Sequence, residues 1–184
     1  MEYTYENNIL PYADNYTFVE LNEDEVKRIE KLTDDVVSRK HYEIHHKFDC
    51  CKEYNRFFNG FIGEMAVEKL LGISVVDWSV GNSINYNKPD IRGYNVGVKT
   101  VEKGKFPIIF KDNYYSQIIC IKCSRNVVFV CGLATKETLN KYQSDDLIID
   151  SRLREKGTKT GFYGFSHLIN ISSKNDLDKL VNNA

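Results

Sequence analysis

A helix that is apolar almost all the way round cannot lie on a surface, and residues 54–71 spell one. Phe57, Phe58, Phe61, Ile62, Met65, Ala66, Leu70 and Leu71 cover most of its circumference, so the segment is expected to be well buried. Gly72 closes it. Its acids are confined: at about 100° per residue, Glu53, Glu64 and Glu68 fall within one narrow stripe. From Ile73 onward the period changes from helical to extended.

Before this helix, residues 17–21 read as a strand. Asn22 followed by Glu23, Asp24 and Glu25 is a capping side chain with an acidic first turn. Val26, Ile29, Leu32 and Val36 continue it as a helix over about 23–39. After the buried helix, residues 73–78 (ISVVDW) predict a strand and residues 79–88 a loop rich in Gly, Asn and Ser. Residues 90–92 and 96–101 predict two short strands joined through Gly93-Tyr94-Asn95. Residues 107–110 extend the sheet, and 117–123 with 127–132 form a hairpin around Arg125-Asn126. A short helix at 135–142, an apolar strand at 147–149, a basic loop and a last helix near 174–181 complete the chain. Helix, helix, then mostly strands with small helices is an α+β (mixed α/β) domain around one central sheet. The 184 residues suit one domain, divided into an N-terminal strand and helix extension (1–54), a core (55–133) and a C-terminal extension with the basic loop (134–184).

The chain is 42% hydrophobic and 28% charged, with a formal net charge of -1. That balance fits a globular protein and counts against a sequence-independent basic coat for nucleic acid, while leaving room for a local basic cleft. No basic start with an apolar run marks a signal peptide, and no stretch approaches the roughly 18 apolar residues that span a membrane. The expectation is a cytoplasmic protein without a membrane partner, its five cysteines reduced.

The segment from Asn87 to Thr100 carries the chemistry. With the turn at residues 93–95, Asp90 sits across from residues 97–99, and Gly97 and Lys99 share a face. A carboxylate and an ammonium then converge, as phosphodiester cleavage requires: a hard oxygen ligand for a divalent cation, and a positive charge near the attacked phosphate. Pro89-Asp90, a short turn and then Gly97-Val98-Lys99 resemble the PD-(D/E)xK signature of restriction-endonuclease-like nucleases. The helix segment 60–67 (GFIGEMAV) is similar to that family's first core helix, where a glutamate often completes the metal site. The resemblance covers about residues 55–133. It implies a restriction-endonuclease-like core and a Mg²⁺- or Mn²⁺-dependent nuclease acting on DNA; the mild acidity, the lack of an export signal and the Lys-, Asn-, Ile- and Tyr-rich usage fit a bacterial cell or a phage-infected host. Asp90, Glu64 and the Val98 carbonyl would be metal ligands. Asp90, Lys99 and Glu64 would be the catalytic set.

One departure stands out. The family's second acidic position falls on Gly97, which has no side chain to offer a metal. Glu102 is offset onto the other sheet face, so Glu64 is the better substitute. The rival reading is a catalytically impaired module of the same fold that binds nucleic acid or a protein partner. Plainer roles exist for each residue: a turn for Asp90, a solvated strand position for Lys99, a wet helix stripe for Glu64 and Glu68.

Cys120 and Cys123 lie three apart on a strand and so face opposite ways. Around a two-residue turn, Cys120 instead faces Cys131, and both read as small core residues rather than cluster ligands. His41, His45 and His46 near Cys50 and Cys51 read as surface or helix-face residues more than as a zinc site. In the stretch 152–165, Arg152, Arg154, Lys156 and Lys159 interleave with glycines and aromatics, a pattern suited to phosphate contact and base stacking. Oligomeric state is left open, a homodimer included.

Overall fold

Asn22 starts its helix reciprocally. Its side-chain oxygen accepts from the Glu25 N–H at 2.8 Å, and the Glu25 carboxylate accepts from the Asn22 N–H at 2.6 Å. Loss of such a capping box costs about 1 kcal/mol. The structure is a computed structural model, and it describes residues 3–40, 50–79 and 88–182. In it a one-turn helix α1 (Tyr5–Asn8) and strand β1 (Thr17–Glu20) precede the capped helix α2 (Glu23–Lys40). Val26, Ile29, Leu32 and Val36 are all buried, as their spacing requires.

The apolar helix α3 (Cys50–Leu71) begins four residues before the apolar pattern does. Gly72 ends it with φ 65°, a left-handed conformation that glycine adopts without steric cost. Ile62 in its middle is fully buried, so Ile62→Ala should cost about 2–5 kcal/mol.

Two sheets follow. Strands β2 (Val96–Glu102), β4 (Ser116–Lys122) and β5 (Val127–Ala134) join β1 in the order β1-β5-β4-β2, with β2 parallel to β4 and the other pairs antiparallel. Strands β3 (Ile108–Phe110), β6 (Gln143–Ser144) and β7 (Lys159–Phe162) make a smaller antiparallel sheet in the order β3-β7-β6. Helices α4 (Lys136–Lys141), α5 (Ser151–Glu155) and α6 (Lys174–Asn182) complete the chain. The fold is mixed α+β, with a mixed four-stranded sheet flanked by helices. The central strand β4 is buried on both faces. Ile118 and Cys120 pack with α2 and α3, while Ile119 and Ile121 pack with Ile109, Leu139 and Phe162 on the other side. No helix among the described residues is long and apolar enough to cross a membrane.

Several sequence expectations are corrected here. Residues 73–78 are not a strand. The Glu68 carboxylate accepts from the Val75 and Val76 N–H groups at 2.9 and 3.1 Å, so a side chain takes the place of a neighbouring strand. Ile108–Phe110 is a strand but pairs with β7 rather than extending the main sheet. The apolar run at 147–149 closes a 3-10 turn (Asp145–Leu147), with Ile148 buried and Ile149 almost fully exposed. Cys120 pairs with Val130, not Cys131. The connection spans residues 124–126, with the Cys123 N–H bonded to the Val127 carbonyl, which shifts the register by one. A bulge beyond Cys120 then restores it.

Candidate active site

The site begins with a close contact. A Cβ on Gly63 would fall 1.7 Å from Thr100 Oγ1 on β2, so only glycine lets α3 approach the strand this closely. Glu64, the next residue, is thereby held against the same edge of the sheet. It lines a cavity of about 500 Å³ with Phe61, Asp77, Pro89 and Asp90.

Asp90 is fixed by local chain geometry. Gly93 (φ 87°) and Asn95 (φ 54°) turn the chain, and the Ile91 N–H donates to the Val96 carbonyl at 2.9 Å. The expected hairpin shrinks to this single bridge, yet the turn still brings Asp90 against residues 97–99. Asp90 Oδ2 accepts from the Val98 N–H at 2.6 Å. Because β2 pairs with β4 on one side only, the Val98 N–H and C=O both face the open edge where Asp90 lies.

Two hollows meet at Asp90. The second, of about 240 Å³, is lined by Asp90, Gly97, Lys99, Tyr115, Gln117 and Lys159. The first hollow gathers carboxylates with Arg92, which lies 3.4 Å from Asp77, and the second sets Lys99 and Lys159 beside Asp90. Burial pushes the Glu64 carboxyl well above the ordinary carboxylate range, and the negative charges of Asp90, Asp77 and Glu68 push it further. Burial also raises Asp90, against the pull of the Val98 N–H and the Lys99 charge. Lys99 is lowered to about 8 by burial and by the nearby cations Lys159 and Arg56, with Asp90 opposing the shift.

The structure brings Glu64 to Asp90 in the first hollow, and Val98, Lys99 and one member of the basic stretch, Lys159, to Asp90 in the second. The other three stay apart. Arg152, Arg154 and Lys156 are exposed on or just after α5, and the Arg154 guanidinium donates to the Ile148 carbonyl at 2.7 Å. The expected basic loop is thus a helix and a strand, and only the strand reaches the site. Sequence reasoning missed Asp77, Tyr115 and Gln117. Asp77 had been absorbed into a supposed strand, and nothing local in the sequence marks the other two. Tyr115 explains Gly97: a Cβ there would lie 2.7 Å from its ring and 3.3 Å from Asp90 Oδ2. The room that a side chain at position 97 would need is taken by an aromatic ring.

Among the described residues, no group of three or more His, Cys, Asp or Glu side chains is gathered for a metal ion. Cys120 and Cys131 are buried, and Cys123 is half-buried. His41, His45, His46 and the side chains of Cys50 and Cys51 lie outside the described residues. Two carboxylates and a backbone oxygen nonetheless suit Mg²⁺, which takes one or two carboxylates and keeps several waters. The charged form of Glu64 is disfavoured first by burial and then by its negative neighbours, and a divalent cation would relieve the second. The donor set therefore fits such an ion. Compared with known protein families, curated proteins and solved structures, the chain shows no significant match to any of them.

Proposed function

We propose that this protein is a divalent-metal-dependent nuclease of the PD-(D/E)xK type, acting on DNA. The observation that carries the reading is Asp90 itself, fixed by the Val98 N–H at 2.6 Å and lining one hollow with Glu64 and a second with Lys99. Glu64, Asp90 and the Val98 carbonyl would hold Mg²⁺ or Mn²⁺. Bound there, a hard divalent cation supplies Lewis-acid polarisation of a phosphodiester oxygen. Asp90 cannot swing away, because the backbone of β2 grips one of its oxygens. Lys99, lowered to about 8, stays mostly protonated at neutral pH. It offers a positive charge where negative charge grows on the phosphate. Lys159, in the same hollow, steadies a neighbouring phosphate.

The test is incubation of the protein with single-stranded, duplex and branched DNA, with Mg²⁺, Mn²⁺ or EDTA. Metal-dependent cleavage that disappears in Asp90→Ala supports the reading, and full activity of Asp90→Ala ends it. One observation favours a second reading, a nuclease-fold module that binds nucleic acid without cutting: the Tyr115 ring closes the place of the second acidic side chain. Binding of DNA without metal-dependent turnover would decide for that alternative.

A further inference from the structure

Next to the Lys99 hollow lies a wider groove of about 640 Å³, with Phe110, Tyr114, Tyr115 and Gln117 in its walls. Phe110, Tyr115 and Gln117 line both spaces, so the groove opens onto the candidate centre. Two of its rings face water: Phe110 is 48% exposed and Tyr114 82% exposed. Neither is loosely placed. Phe110 is the cross-strand partner of Lys159, whose ammonium stands 5.3 Å from the ring centre. The loop that carries Tyr114 is pinned by buried Asn113, which donates to the Phe110 carbonyl at 2.8 Å and bonds Asn140. Lys111 at the groove wall is already paired with Asp145 at 2.6 Å and Asp112 lines the groove beside it, so the cations free to meet a phosphate are those at the groove's end.

Fixed aromatic faces beside cations are what unpaired nucleotides need, since bases stack on the rings while phosphates meet the ammonium groups. Bases inside a duplex already have both faces covered and reach a side chain only when flipped out. A peptide could also lie on the rings, but it would have no use for the cation pair Lys99 and Lys159 at the groove's end. We propose that the groove receives unpaired nucleotides of a DNA strand whose backbone runs on to Lys99 and Lys159. The substrate class is then single-stranded DNA, or DNA with a splayed strand, rather than closed duplex. The direction of the strand rests on the nuclease reading above.

The experiment measures binding of the full chain, in EDTA at fixed salt, by fluorescence anisotropy. Three labelled probes carry equal numbers of phosphates: a short single strand, a blunt hairpin duplex and an abasic strand. The single strand should bind about tenfold or more tighter than either of the others, as one stacked base suffices to do. Phe110→Ala and Tyr114→Ala should each weaken single-strand binding by about 5- to 150-fold and leave the hairpin and abasic probes unchanged. Phe110→Trp should keep the parent affinity. Should Phe110→Ala fail to fold, Tyr114→Ala at its exposed position decides alone. Parent-like binding by the alanine variants, or an abasic strand bound as tightly as the intact one, overturns the proposal. Adding Mg²⁺ separates the two readings. Stacking-dependent binding without cleavage keeps the groove and ends the nuclease, whereas cleavage of every probe at rates indifferent to the rings ends the groove alone.

Discussion

On the four-stranded sheet, the groups that meet are acids: Glu64 from the helix above it, Asp90 against its edge and Asp77 in the same cavity. On the three-stranded sheet they are a cation and a ring, Lys159 and Phe110, paired across two short strands. The first cavity also holds Lys88 and Arg92, the latter 3.4 Å from Asp77, whereas the second hollow sets Lys159 beside Lys99. The carboxyl groups of Glu64 and Asp90 are raised, while Lys99, on β2 of the larger sheet, is lowered by burial and by Lys159 and Arg56. In the proposed reading, a metal ion relieves the first and a polyanion the second, so the pair is complete only with substrate in place.

The strongest way to break this comparison is to remove one acid. Asp90→Ala should lower metal-dependent cleavage about a thousandfold with the fold intact by circular dichroism, and Lys99→Ala about a hundredfold. A larger loss from Lys159→Ala than from Asp90→Ala would reverse the roles of the two sheets.

Next in size is Gly97→Glu. Its new side chain meets the Tyr115 ring, so stability should fall by about 1–3 kcal/mol and cleavage should slow. Adding Tyr115→Ala should restore the melting temperature. Tighter Mg²⁺ binding in calorimetry by Gly97→Glu alone would mean that the ring yields and the acidic side has room for a third carboxylate.

A smaller effect concerns Glu64. Its carboxyl is raised in the folded state, so folding takes up a proton. In EDTA, stability should be fully present below the unfolded value near 4.5 and decline as pH rises through the higher folded one. Glu64→Gln should flatten that decline and raise the melting temperature by a few degrees above neutral pH. A parallel pH dependence in the variant would show that the burden falls on Asp90 instead.

The smallest change separates Lys159 from the other cations of its stretch. Lys159→Ala should reduce the slope of log K against log salt by about 0.7 on a single strand. Arg152→Ala, exposed on α5, should leave the slope unchanged. Equal losses from both would mean that the basic surface acts as a whole and the second sheet has no special share.

The same division governs what could be read from sequence. Helices α2, α3, α4 and α6 follow from caps and spacings contained within each segment. The approach of Asp90 to Lys99 follows from a turn whose residues tolerate positive φ, so the acidic half of the site was legible. Its missing member, Asp77, was hidden because β-branched residues beside it read as a strand. Only the fold shows that Glu68 captures their N–H groups. The second sheet was opaque for a different reason. Three residues at 108–110 pair with 159–161 far along the chain, and no local pattern announces such a partner. Cys120 missed its expected partner by one residue, the distance between a turn of two residues and a connection of three.

Gly63 acts as a caliper. It carries no chemistry, yet the missing methyl group fixes how far α3 stands from β2, and so how wide the gap between Glu64 and the Asp90 edge can be. Thr100 opposite is β-branched and stiff, so even alanine at position 63 would push helix and strand apart rather than be absorbed. The spacing around the proposed centre is therefore set one residue away from Glu64, by the absence of a side chain.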